Sequence, residues 1–312
     1  MGLGLHKIIN SLSIKISILL FNQRLPLEYI FYNFIFRLFV TKKNYNNLTI
    51  KNFHENGYSK LNVNIKDELN KFLNKIQVNE ETTKKITNVR NKRIILTIPD
   101  SDKLQLYQDL KDKLSPVLND LSEYYNSYIE FAEIKLFRIK NENIGKDLNK
   151  DVYSNNFHQD GYTMNYIKLG INLMDITDND GPMEIVNIKD RKNFVKSFKY
   201  RERNDYNVDG DKNLVYKNIG KFGDCFLFSS SQCFHKAGEP RKHRDMIMMI
   251  LVASTKIKRN QFNIKNKLEV FSSGYSNQNQ QIITFTKPFG IINIFKIFFD
   301  HLKENIKTRE IN

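Results

Sequence analysis

A chain of 312 residues, 40% of them hydrophobic, is long enough for one large core or two small ones. Its formal charge of +15 is spread along the chain, with no zinc-finger spacing, RNA-binding signature or basic run interleaved with aromatics. Specific nucleic-acid recognition is therefore not expected, and the charge reads as a solvated basic surface. Two cysteines, Cys225 and Cys233, are too few for a disulfide framework and fit a reducing, cytoplasmic setting.

In chain order, residues 1–50 form an apolar and basic extension. Ile8 to Phe21 is interrupted by Lys15, and Leu27 to Val40 by Arg37. Neither reaches the ~18 clean apolar residues of a membrane span. The expectation is a pair of helices packed on the main domain, with peripheral membrane contact as the sharper reading. The main domain is placed at 51–287, entered through FHENGYSKL from Phe53. Asp67 to Ile76 and Gln105 to Tyr125 have helical spacing of apolar residues, and Pro116 interrupts the second.

The pattern changes at Tyr128, where YIEFAEIKLFRI alternates and is rich in branched and aromatic residues, predicting a strand. Lys140 to Asn156 is polar and reads as a loop. Further strands are predicted at Tyr166 to Ile176, Met183 to Ile188, Leu214 to Asn218, Cys225 to Ser230 and Met246 to Ser254. Short strands separated by Gly, Pro and Asp, without long helices between them, argue for an antiparallel barrel or sandwich over about 128–255. Residues 288–312 predict an amphipathic helix, with Ile292, Phe295, Phe299 and Leu302 on one face and Asn293, Lys296, Asp300 and Lys303 on the other.

The chemistry-bearing residues cluster in the strand region. His158-Gln159-Asp160 sets an imidazole and a carboxylate two positions apart, on one side of an extended chain. Gly223-Asp224 opens the apolar run CFLFSS, and His235 follows it. Asp180-Gly181-Pro182-Met183 is a turn between these two parts. Two histidines and one carboxylate on one face of an octahedron make the facial set of non-haem iron sites, with three positions left open. Arg244 leads into the apolar strand DMIMMILVAS, where a guanidinium at the barrel mouth can hold a carboxylate bidentately; Arg241 competes for that role. Cys233, two residues before His235, raises a zinc alternative in which both side chains share one side of a strand.

The stretches FHQDGY, NDGPMEIV, GDCFLF and FHKAGEPRKHRDM resemble the phytanoyl-CoA dioxygenase family of 2-oxoglutarate/Fe(II)-dependent oxygenases. The resemblance runs from about Phe53 to Ser254 and is dense from Phe157 onward. It implies a mainly β fold, the double-stranded β-helix or jelly roll, with helical decorations at both ends. It implies iron ligands His158, Asp160 and His235, with Arg244 on the cosubstrate 2-oxoglutarate. The implied reaction uses Fe(II), 2-oxoglutarate and O2 to hydroxylate or desaturate a small-molecule, lipid-like or carrier-linked substrate, releasing succinate and CO2. The chain departs from the family's pattern at Asn187-Ile188-Lys189-Asp190 and at Glu239-Pro240.

Tyr162 and Asn165, just after the ligand pair, are further candidates for contacting the cosubstrate. The basic segment Lys189 to Arg203, with Lys192 and Lys196, could cover the pocket and meet an anionic group. His6, His54, His243 and His301 lie outside the constellation and read as structural or solvated. The alternatives to an oxygenase are a non-catalytic jelly roll that binds a ligand and a peripheral membrane or nucleic-acid binder that uses the net positive charge.

Overall fold

The computed structural model describes residues 2–21, 25, 27–39, 41, 45–79, 92–126, 128–140, 156–160, 163–201, 205–254, 267–271 and 299. The predicted loop at Lys140 to Asn156 and the predicted helix at 288–312 lie almost wholly outside them. Among the described residues no helix is long and apolar enough to cross a membrane.

The chain opens with α1 (Gly2–Phe21) and α2 (Leu27–Phe39), then α3 (Leu48–Asn56). The Asn47 side chain caps α3 by accepting from Thr49 N at 2.8 Å. At its far end Gly57 takes φ 72° and donates to Phe53 O. Next come β1 (Tyr58–Leu61), the short α4 (Lys66–Asn70), β2 (Gln77–Val78) and β3 (Lys92–Thr97). The helical periodicity around Pro116 becomes two helices, α5 (Asp100–Lys113) and α6 (Ser115–Tyr125). The proline sits in the first turn of α6, where its missing N–H costs nothing. Val117, Leu121, Tyr124 and Tyr125 make the buried face of α6.

The strand region follows as β4 (Tyr128–Lys140), β5 (Tyr166–Asn172), β6 (Glu184–Val186), the one-turn α7 (Arg191–Phe194), β7 (Val195–Arg201), β8 (Asp205–Gly210), β9 (Val215–Lys217), β10 (Cys225–Phe228), β11 (Phe234–Lys236) and β12 (His243–Ser254). The large sheet runs β1-β10-β5-β12-β4-β3-β2, with antiparallel neighbours throughout. The small sheet runs β11-β6-β9, and an antiparallel bridge from His158 to His235 adds a fourth position beside β11. Taking β4, the His158 segment, β5, β6, β9, β10, β11 and β12 as positions one to eight, the large sheet holds 6-3-8-1 and the small sheet 2-7-4-5. Consecutive positions cross between the sheets in the jelly-roll order, except four and five, β6 and β9, which pair side by side in the small sheet. The fold is thus mainly β, a jelly roll with flanking helices.

Strand alternation sorts the two faces of the large sheet. Ile134 and Leu136 of β4, Ile167, Leu169 and Ile171 of β5, and Ile247, Met249 and Leu251 of β12 pack with helices α3 to α6 in one extended core. Each such side chain contributes about 1.5–3 kcal/mol by leaving water. The intervening residues face the small sheet: Phe137 and Ile139, Tyr166 and Lys168, and Arg244, Met246 and Met248. The basic segment Lys189 to Arg203 is neither a plain loop nor a long helix. Its described part, residues 189–201, forms a turn, α7 and the first strand of the β7–β8 hairpin.

Candidate metal centre

His158 and His235 belong to neighbouring positions of the small sheet. They exchange both backbone hydrogen bonds, His158 N to His235 O at 3.0 Å and His235 N to His158 O at 2.9 Å. Asp160 lies just past the bridge, where its N–H donates to Ser230 O at 2.9 Å. One potential ligand atom from each of the three side chains lies within 4.8 Å of the others. Asp160 Oδ1 is 3.6 Å from His158 Nε2 and 3.8 Å from His235 Nε2.

The ring tautomers follow from the other nitrogens. His158 Nδ1 meets Asn156 O at 2.7 Å, and His235 Nδ1 meets Cys233 O at 3.2 Å. A carbonyl only accepts, so each Nδ1 carries the hydrogen and each Nε2 turns a lone pair toward Asp160. This is the usual outer support of a metal-binding imidazole. Burial pushes the His158 imidazole down to about 3, with repulsion from His235 second, and burial pushes His235 down to about 4. Both rings are neutral near pH 7, as ligands must be. Burial alone would raise the Asp160 carboxyl, but the Lys168 ammonium beside it wins and holds it well below the usual carboxylate range.

Lys168 was not anticipated. It sits on β5, ion-pairs with Asp160 Oδ2 and lies 5.5 Å from the centre of the Phe228 ring. A lysine inside an apolar strand reads in sequence as a solvent-facing position. Its neighbours Ile167 and Leu169, both fully buried on the opposite side, are the signal that it turns toward the small sheet.

The three residues line a cavity of about 250 Å³ between the sheets, near the low end of small-molecule pockets (~300–1,000 Å³). Arg244 lines the same cavity and is 3% exposed. Its NH1 donates to Gly181 O, in the turn ahead of β6, while its Nε has no partner among the described residues. Among the described residues no carboxylate pairs with it. Burial, and then the nearby Arg93, push its pKa down to about 10, so it stays charged at neutral pH. Gly181 is held at φ 60°, and a Cβ there would come within 2.3 Å of Pro240 N. Arg93 on β3 and Arg244 on β12 both pair with Ile139 of β4, so all three share one face of the sheet. Arg93 also lines the cavity and stacks 4.7 Å from the Phe137 ring centre. Arg93 escaped the sequence reading because β3 lies before the region of dense motifs.

Arg241, the competing clamp, lies in a bend outside the cavity lining, its N–H donating to Asn179 O. Asn165 does not join the site. Its amide is committed to Thr163 and, at 3.1 Å, to Ala253 O, on the far side of the sheet from the cavity. Tyr162 lies outside the described residues. The zinc alternative fails on geometry: Cys233 precedes β11, and its Sγ points to Asn56 O at 3.5 Å. Burial raises that thiol to about 12, far from the thiolate a metal needs. His54 is structural, with Nδ1 2.6 Å from Tyr124 OH. Lys192 is exposed on α7 and does not line the cavity.

No family model matches the sequence, and no curated protein matches it. Among solved structures, HygX from Streptomyces hygroscopicus with nickel, 2-oxoglutarate and hygromycin B is 16% identical, with a TM-score of 0.42 over 67% of this chain and 88% of that one. The epimerase SnoN with Fe3+, alpha ketoglutarate and nogalamycin RO is 12% identical, with a TM-score of 0.40 over 66% and 82%. EctD from S. alaskensis with bound Fe is 9% identical, with a TM-score of 0.39 over 69% and 81%. These likenesses are too distant to bear on function, which rests on the site itself.

Proposed function

We propose that this chain is an Fe(II)- and 2-oxoglutarate-dependent oxygenase of the phytanoyl-CoA dioxygenase type. The carrying observation is that one cavity holds the His158, Asp160 and His235 donors together with the buried guanidinium of Arg244, which has no carboxylate partner among the described residues. An unpaired buried charge is costly, and an anionic ligand offsets that cost.

Two imidazole nitrogens and one carboxylate suit iron(II) and leave three positions open. Bound there with 2-oxoglutarate and O2, the iron would supply oxidation of a C–H bond, with release of succinate and CO2. The chain's own part is positional. His158 and His235 present Nε2 lone pairs from a fixed backbone bridge. Arg244 holds the distal carboxylate of the cosubstrate, and Phe137, Phe228 and Met246 exclude water. The substrate is a small or lipid-like molecule, hydroxylated or desaturated. Arg93 at the cavity favours one carrying an anionic group. A cytoplasmic setting suits the two free, buried cysteines and a ferrous ion.

The test is anaerobic titration of Fe(II) and 2-oxoglutarate, read by the weak visible charge-transfer band near ~500 nm that keto-acid chelation at such an iron should give. His158→Ala should abolish the band and Arg244→Ala should weaken it. One observation favours a second reading: the Lys168 ammonium already occupies Asp160. A jelly roll that binds an anion without metal would show 2-oxoglutarate binding independent of Fe(II), no band and no succinate.

A further inference from the structure

A second cavity lies away from the metal site, under the N-terminal helices. It measures about 480 Å³, and its walls are Phe21, Leu27, Ile30, Phe31 and Phe34. Its polar lining is Asn33, Arg37, Arg191 and Gln232. Several wall side chains are also open to solvent: Phe34 is 60% exposed, Phe31 43% and Phe21 42%. Leu12, Leu19 and Leu20 of α1 are exposed as well. An apolar surface of this extent on a helical hairpin marks a binding site.

The polar lining is short of acceptors. Arg37 NH2 donates to His54 O at 3.0 Å, but its buried Nε has no partner among the described residues. Arg191 donates from Nε to Ile188 O and from NH1 to Gln232 O, both at 3.1 Å. Asn33, 7% exposed, accepts from Met164 N, while its buried Nδ2 has no partner among the described residues. Among the described residues no carboxylate pairs with either arginine. Two guanidinium groups and an amide thus bring spare donors to an otherwise apolar cavity. Water can fill a donor but cannot balance two half-buried cations side by side.

We propose that this cavity binds a single amphiphile, an alkyl chain with an anionic head. The head is seated on Arg37, Arg191 and Asn33, and the chain lies along Ile30, Phe31 and Phe34. Charge complementarity selects the head, because charge-assisted hydrogen bonds to guanidinium are the strong ones. The aromatic wall selects the chain. Carboxylate and phosphate heads share this chemistry. The cavity does not depend on the iron reading, since none of its lining residues is a donor of the metal centre. The two places touch through one turn: Gln232 O accepts from Arg191 on one side and from Gln159 Nε2, between the two metal-ligand candidates, on the other.

The chain has no tryptophan, so a polyene fatty acid reports binding without indole interference. Full-length, metal-free protein would be titrated with cis-parinaric acid, then competed with dodecanoate, dodecyl phosphate, 1-dodecanol and butyrate. Dodecanoate or dodecyl phosphate should displace the probe, and whichever is tighter identifies the head. Dodecanol should be at least ~10-fold weaker, and butyrate should not compete, following the cost of an unfilled charged donor. Arg37→Gln should weaken the anionic competitor by ~10-fold or more and leave dodecanol unchanged. Phe34→Ser, at an exposed position with little risk to folding, should weaken all the long-chain compounds. Equal displacement by dodecanol and dodecanoate would overturn the proposal, as would no probe binding by folded protein. Pelleting with anionic vesicles that persists under saturating dodecanoate would instead make this face a membrane-docking surface, which also overturns it.

Discussion

His158 and His235 face each other across an antiparallel bridge, with ring centres 4.3 Å apart, in a geometry set by two backbone hydrogen bonds. Their spacing is a property of the sheet and does not require an ion between them. Removing either ring should therefore abolish metal binding without unfolding the protein. His158→Ala and His235→Ala are each expected to lose bound iron(II) after desalting, measured by metal analysis, while the melting curve stays cooperative. Full metal retention by both variants would rule out this centre.

The buried rings also predict how the metal-free protein responds to acid. In the fold they take up protons only at about 3 and about 4. In the unfolded chain they do so near ~6.5. Between those values the unfolded state holds protons that the fold does not, so stability rises with pH. The full contribution is present above about pH 6.5 and is lost as pH falls toward 4. Melting temperature followed from pH 7.5 to 4.5 in chelator should fall in that window. The double variant His158→Gln/His235→Gln should flatten the curve.

Lys168 and Asp160 form an ion pair of low exposure. Breaking such a pair from one side leaves a buried charge, at a cost of about 3 kcal/mol or more. Lys168→Met should therefore destabilise the metal-free protein by that order, measured by urea unfolding. Iron(II) or nickel(II) should restore much of the loss by taking over the carboxylate. A variant as stable as the parent without metal would show that the pair contributes little.

Arg244 makes an opposite prediction for fold and ligand. Its guanidinium is buried and, among the described residues, has a single carbonyl partner. Replacing buried charge with a well-packed apolar side chain is often neutral or stabilising. Arg244→Met should leave the ligand-free melting temperature equal or higher, yet weaken 2-oxoglutarate by ~10-fold or more. A large drop in melting temperature with unchanged affinity would make Arg244 a structural residue.

Gly181 holds the carbonyl that Arg244 uses, in a left-handed conformation pressed against Pro240. Gly181→Ala should cost about 1–3 kcal/mol in stability. It should also weaken 2-oxoglutarate, because the clamp loses its anchor. A change in stability alone would separate the turn from the clamp.

Much of the site was legible in the sequence because its elements alternate cleanly. In β4 and β12 the apolar residues buried against the helices are spaced two apart, and Arg244 falls on the intervening register. His158, Asp160 and His235 stood out because few other residues of their kinds lay in strand-like context. The rest was hidden for physical reasons. Lys168 was masked by the habit of placing lysine in water. Arg93 sits on a strand added outside the eight jelly-roll positions, with no motif of its own. The β7–β8 hairpin lies in a charge-rich segment, where the cross-strand register Phe198↔Val208 and Tyr200↔Tyr206 is hidden among charged neighbours. Asn165 failed as a ligand contact because proximity in sequence to Asp160 says nothing about which side of β5 a residue leaves. Its polarity is spent on joining the chain to Ala253.

The backbone bridge beneath the two histidines carries one more consequence. A cage already assembled before loading cannot use folding energy to reject an ion of the wrong kind. Nitrogen and oxygen donors of this sort favour nickel, copper and zinc over ferrous iron on intrinsic affinity. The occupant of freshly purified protein will therefore follow the metals in the growth medium and buffers more than any preference of the polypeptide, and inactivity after purification on a nickel resin would describe the column before it described the protein.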